Sequence, residues 1–137
     1  MRSVSDALGS TPTRTVLVTG AARRLGREIS LAFARAGWDV LAHHRHSADA
    51  ARALQAEIEA LGRRCPLLRA DLRAPEAAAD LLHQARASSG ALPQCIVNNA
   101  SVFEADEALS ASAAGLMDHF SVNTVTPLLL ANALAAA

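Results

Sequence analysis

Two rhythms of apolar and polar residues alternate along this chain. Short, nearly continuous apolar runs are separated by longer segments whose apolar residues recur at helical spacing. Thr15–Thr19 reads as a first strand. Leu25, Ile29, Ala32 and Phe33 then share one face and predict a helix over Leu25–Ala36, stopped by Gly37. Trp38–His43 predicts a second strand. Ser47 stands as the cap of a helix running through Leu61, with Leu54, Ile58 and Leu61 as its stripe and Gly62 as its stop. Leu67–Ala70 predicts a third strand. Pro75, a first-turn residue, opens a helix to about Ala87, and Cys95–Asn98 predicts a fourth strand. A loop over Asn99–Leu109 leads into a helical region from about Ser110 onward, interrupted at Pro127. Apolar strands alternating with amphipathic helices belong in a parallel sheet covered on both faces. With right-handed crossovers, the expected class is α/β, a Rossmann-like doubly wound parallel sheet.

Length and composition narrow this picture. At 137 residues, half of them apolar, the chain is one domain or part of one, with enough apolar surface for a core. Its net charge is zero and its arginines are spread along the sequence, so neither nucleic acid nor an acidic membrane is indicated as a partner. Residues 1–12 are polar, carry no signal-peptide core, and read as a flexible leader before residues 13–137. No apolar run is long enough to span a bilayer. Cys65 and Cys95 are far apart and read as reduced thiols of a cytoplasmic protein.

The residues after each strand carry the chemistry. Gly20 ends the first strand and Gly26 opens the following helix, a turn able to present backbone N–H groups to a dinucleotide pyrophosphate. Its glycines are six apart, and Arg24 stands where a middle glycine often falls. The same turn also exists as a plain strand–helix connection without a ligand. The second strand runs into His43-His44-Arg45-His46-Ser47, with no carboxylate for a ribose 2′-hydroxyl. Arg45, Ser47 and the histidines, with Arg23 reaching in from the first turn, suit a 2′-phosphate, so NADP is expected over NAD. A solvated loop is the plainer alternative. No metal site is expected, because His43 and His44 are adjacent and point to opposite faces of a strand. Asp71, with Leu72 behind it, could accept from an adenine amino group or cap a helix. Asn98 and Asn99 could stitch neighbouring strands together, and the small Ala100 lets a ribose pass closely. Pro127 has no N–H for the Asn123 carbonyl, which leaves either a helix kink or a water site.

Taken together, Thr19-Gly20-(x)5-Gly26, Asp71-Leu72, Asn98-Asn99-Ala100 and Val122-Asn123 resemble the short-chain dehydrogenase/reductase family in order and interval. Arg24 at the middle-glycine position, the His-Arg-His-Ser loop and Asn-Ala-Ser-x-Phe resemble its pteridine reductase branch. The resemblance runs from Thr13 to the end of the sequence. It implies that Gly20, Arg24, Leu25, Gly26 and Ser101 lie along the cofactor phosphates, with Arg24 also reaching the substrate. Arg23, Arg45, His46 and Ser47 would hold the 2′-phosphate, and His44, Asp71, Leu72, Asn98, Asn99 and Ala100 would complete the cofactor-binding set. Phe103 would stack a flat heterocycle against the nicotinamide, unless it is a core residue. Asn123 would be the catalytic helix-kink asparagine, its carbonyl holding a relay water. Gln94 departs from the family's usual Asp and bears on local loop geometry.

The resemblance also implies an incomplete unit, truncated after the fourth strand and the helix that follows. The family's Tyr-x-x-x-Lys would fall beyond Ala137, and the sequence has no Tyr and no Lys. It implies a small-molecule substrate for the full-length form, a homotetramer, and an exposed edge on the fourth strand. Three functions follow: the cofactor-binding portion of an NADP(H)-dependent carbonyl or pterin-like reductase, a non-catalytic NADP-binding or pairing module, or an inactive remnant.

Overall fold

The computed structural model describes residues 13–104 and 109–136. The leader expected over residues 1–12 and part of the expected loop, residues 105–108, lie outside the described residues. The described elements alternate as expected: β1 (Thr15–Val18), α1 (Arg24–Arg35), β2 (Asp39–His44), α2 (Ala48–Ala60), β3 (Leu67–Arg69), α3 (Ala77–Ser89) and β4 (Cys95–Val97). Then come α4 (Ala113–Phe120), a π-helical turn (Ser121–Val125) and α5 (Thr126–Ala135). The four strands are all parallel, in the order β3-β2-β1-β4. Leu17 pairs with Leu41 on one side and Ile96 on the other, so β1 is central.

Side-chain alternation along the central strands divides the core in two. Leu17 and Leu41 point to one face with Leu68, Leu81, Leu82 and Leu130, under α3 and α5. Val16, Val18, Val40 and Ala42 point to the other, with Leu31, Leu54 and Ile58 of α1 and α2. Each strand is therefore apolar on both sides, which is why these runs read as continuous. Cys65 is buried in the second layer, and burial pushes its thiol up to about 12.

Most boundaries shift by one or two residues, for local reasons. Trp38 is not yet strand, because its N–H still bonds the Phe33 carbonyl at 3.1 Å to close the turn after α1. Pro75 does not open α3. The Asp71 carboxylate accepts the Arg73 N–H at 3.1 Å and the Asp71 carbonyl accepts the Ala74 N–H at 3.0 Å. Those turns use up the segment, and α3 starts at Ala77. Ser47 occupies the N-cap position of α2 but makes no side-chain capping bond. The last helical region starts later than Ser110, at Ala113, where the Ser112 hydroxyl accepts the Gly115 N–H at 3.0 Å.

The interruption expected at Pro127 is a π-helical turn immediately before it. The Thr126 N–H reaches back five residues to the Ser121 carbonyl. α4 buries none of its residues, and side-chain bonds tie its surroundings together. His119 Nε2 accepts the Glu104 N–H at 3.1 Å, and Arg73 bridges to Asp118 at 3.2 Å. No described helix is long and apolar enough to cross a membrane.

The join between α1 and β1 has no spare volume. A Cβ on Gly26 would stand 2.1 Å from the Gly20 carbonyl oxygen and 2.5 Å from Asn99 Nδ2. Gly26→Ala is expected to lower stability by about 1–3 kcal/mol, the usual cost of overpacking where backbone must move. The shift in the urea unfolding midpoint measures it.

Candidate functional site

All four strands end on one side of the sheet, and the segments after them border a cleft of about 580 Å³. This volume lies within the range of small-molecule and cofactor sites. Its floor is the turn after β1. Gly20 takes φ +62°, and Arg24, entering α1, takes φ +51°. A left-handed conformation at a non-glycine residue costs about 1–2 kcal/mol. At Arg24 it leaves the guanidinium on the exposed rim of the cleft.

The turn is held from two sides. From β4, Asn99 Nδ2 donates to the carbonyls of Thr19 at 2.9 Å and Gly20 at 3.1 Å. The Thr19 hydroxyl accepts the N–H groups of Asn99 and Ala100, both at 3.0 Å. From β2, His43 Nδ1 accepts the Gly20 N–H at 3.1 Å, and the His43 carbonyl accepts the Ala21 N–H at 2.9 Å. The other ring nitrogen, Nε2, lies 3.1 Å from the Ala70 carbonyl. An acceptor at Nδ1 and a donor at Nε2 define the neutral ring. Burial lowers the His43 pKa below its ordinary 6.5, against the opposing bond to Ala70.

The β2 end is cationic. Arg45 Nε stands 3.2 Å from Asp71 Oδ2 but is poorly aligned, so this buried N–H has no hydrogen-bond acceptor. Arg73 holds the same carboxylate through Nη2 at 2.7 Å and Nε at 3.0 Å. His44 is buried and its Nδ1 has no partner. Burial lowers its pKa, and the positive charges of Arg69 and Arg52 lower it further. His46 is exposed, and Asp71 is the only carboxylate bordering the cleft among the described residues.

Gly20, Arg23, Arg24, Leu25 and Gly26 from the first turn all line this cleft, as do His44, Arg45, His46 and Ser47 from the second. Asp71, Leu72, Asn99, Ala100 and Ser101 complete the expected set around it. Three expected residues do not line it. Asn98 is exposed and turned outward, because successive side chains at a strand end alternate and Asn99 takes the inward position. Phe103 is 88% exposed on the loop after β4, so it is not a core residue. The Asn123 side chain is spent on Val102, accepting its N–H and donating to its carbonyl, both at 2.9 Å.

Ala22, Val102 and Val122 line the cleft and were not expected there, and so does His43, which the sequence grouped with the histidines after β2 but not with the cofactor-binding residues. For His43 the available signal was its strand-end position one residue before His44, which places it on the opposite face. Among the described residues no group of three His, Cys, Asp or Glu could hold a metal ion.

The model of one family, described as short chain dehydrogenase, matches residues 14–137. A curated relative, an uncharacterised oxidoreductase of Mycobacterium tuberculosis, is 40% identical over 113 residues, covering 82% of this chain and 42% of its own length. FolM alternative dihydrofolate reductase 1 from Brucella suis, solved in complex with NADP, aligns with a TM-score of 0.81 and 32% identity, covering 90% of this chain and 51% of that one. A short chain dehydrogenase from Burkholderia cenocepacia, also in complex with NADP, aligns with a TM-score of 0.84 and 32% identity, covering 90% of this chain and 50% of that one. The chain thus spans about half the length of these relatives or less.

The two buried histidines make stability depend on pH. Both folded pKa values are lowered below 6.5, so the unfolded chain binds more protons between the folded and unfolded values. Their neutral forms support the fold fully above that ordinary value, and the support is lost as pH falls below it. The thermal midpoint is expected to drop between about pH 7 and about pH 5. His43→Asn, which does not titrate, should show a smaller drop in the same melting series.

Proposed function

The chain belongs to the short-chain dehydrogenase family, and within it we propose that this is the cofactor-holding portion of an NADP(H)-dependent reductase of carbonyl or pterin-like substrates. The observation that carries the reading is the end of β2. A carboxylate at that position would select a ribose 2′-hydroxyl, and here Arg45 stands there with an unspent Nε–H. Arg23 and Arg24 add two more guanidinium groups along the cleft. Asp71, the carboxylate that would repel a phosphate, already faces Arg45 and Arg73. The residues present therefore fit a phosphate-rich dinucleotide with an additional phosphate on its ribose. The NADP complexes of the Brucella and Burkholderia proteins support the same assignment.

NADPH, when bound, supplies a hydride to an electrophilic carbon. The chain's own contribution is to bind and orient. The Gly20 turn and Arg24 would border the pyrophosphate at the start of α1, where the helix dipole favours an anion. Arg45, His46 and Ser47 would take the 2′-phosphate, with Arg23 reaching from the rim. Asp71 and Leu72 would border the adenine, while Ala100 and Ser101 pass close to the ribose and phosphates. Phe103 offers an exposed aromatic face to a flat substrate. The likeness to the FolM reductase supports the pteridine side of this reading. The Asn123 carbonyl, on the π-helical turn ahead of Pro127, would hold a relay water. A Tyr–Lys pair for proton delivery would come from further sequence, because these 137 residues contain neither.

Cofactor fluorescence tests the binding claim. The chain is expected to bind NADPH more tightly than NADH, and Arg45→Glu to weaken NADPH by about tenfold or more, since it replaces a charge-assisted donor with a repelling group. Equal affinity for the two cofactors would remove the NADP assignment. The 137-residue chain is also expected to leave NADPH unoxidised when mixed with a dicarbonyl or dihydropterin, followed by absorbance.

A further inference from the structure

One guanidinium near the β2 end has no role in the reading above. Arg69, the last residue of β3, stands in register with His44 across the β2–β3 ladder. Residues in register share a face, and His44 alternates with Val40 and Ala42, which pack on the α1–α2 side. Arg69 therefore projects on the side where α2 begins.

Its backbone is fully engaged. The Arg69 N–H donates to Gln84 Oε1 at 3.1 Å, and its carbonyl accepts from Gln84 Nε2 at 3.0 Å. Its guanidinium makes no hydrogen bond or ion pair among the described residues. In contrast, Arg27, Arg45, Arg52, Arg64 and Arg73 each face a carboxylate.

Arg69, Arg45, His46, Ala70 and Asp71 enclose a recess of about 260 Å³. It adjoins the main cleft, and Arg45, His46 and Asp71 border both. The adjoining cleft is lined by buried His44, whose Nδ1 has no partner, and by Ser47, whose side chain makes no capping bond at the head of α2. Arg69 is exposed, and an anion seated in the recess would face its unpaired charge together with that of Arg45. The one carboxylate on the recess is shared by Arg45 and Arg73 and has little charge left for Arg69.

We propose that Arg69 is a specificity-determining residue for the 2′-phosphate. It approaches from β3, opposite the contacts supplied by Arg45, His46 and Ser47. This rests on the NADP(H) reading and extends it to a strand that reading does not use. A dinucleotide with a free 2′-hydroxyl gains nothing from Arg69, so the residue acts on the choice between cofactors.

The test is binding of NADPH and NADH to the chain carrying Arg69→Met, which keeps the aliphatic stem, and Arg69→Lys, which keeps the charge. Arg69→Met is expected to weaken NADPH about tenfold and to leave NADH within about twofold, with Arg69→Lys in between. Equal weakening of both cofactors would assign Arg69 a structural role and overturn the proposal. So would an unchanged NADPH affinity, while wild-type NADPH binding would leave the broader reading standing. A wild-type chain that binds neither cofactor overturns both.

Discussion

The site depends on one close approach, that of α1 to the end of β1. Position 26 has room for a hydrogen and nothing larger, because the Gly20 carbonyl and the Asn99 amide already fill the space. The approach brings the start of a helix directly over the turn, where its free N–H groups and dipole face the cleft. It also draws β4 in, since Asn99 bonds the Thr19 and Gly20 carbonyls from the neighbouring strand. The turn is therefore built by residues far apart in sequence. His43 adds the third support, and its two ring nitrogens connect the ends of β1 and β3 through β2.

Charge is arranged with similar economy. Arginine is the only strong cation this sequence uses, and three of its guanidinium groups border the cleft. The carboxylate of Asp71 keeps that concentration tolerable by facing Arg45 and Arg73, and Arg73 extends the network to Asp118 on α4. These pairs are partly exposed, so each adds little to stability. Their consequence is positional. They link the β3 loop, where Asp71 lies, to a helix that buries none of its own residues. The π-helical turn works alongside them, because Asn123 fastens the loop after β4 at Val102.

Much of this was legible along the chain. The parallel α/β class followed from apolar runs now seen buried on two faces, and the family followed from short motifs at the strand ends. Individual side chains were harder. Asn98 and Asn99 are the same residue type side by side, and only the direction of the strand at that point decides which one turns inward. Ser47 has the right chemistry for a cap and sits at the cap position without making the bond, whereas Ser112 makes it. Phe103 could be read as a core residue or as a stacking face for a flat substrate, and it is exposed and not in the core.

What the sequence determined by itself was local and periodic: where strands and helices fall, where glycine must stand, and which segments carry positive charge. These properties follow from neighbours a few residues apart, whose spacing any reader of the chain can measure. Tertiary structure decided what depends on partners across the sheet. It gave His43 its neutral tautomer, because Gly20 and Ala70 lie on either side of the ring. It put Arg69 beside His44, because the register of β2 and β3 aligns two residues 25 positions apart. Register and close packing arise from the whole assembly of strands and helices, and no single segment contains them.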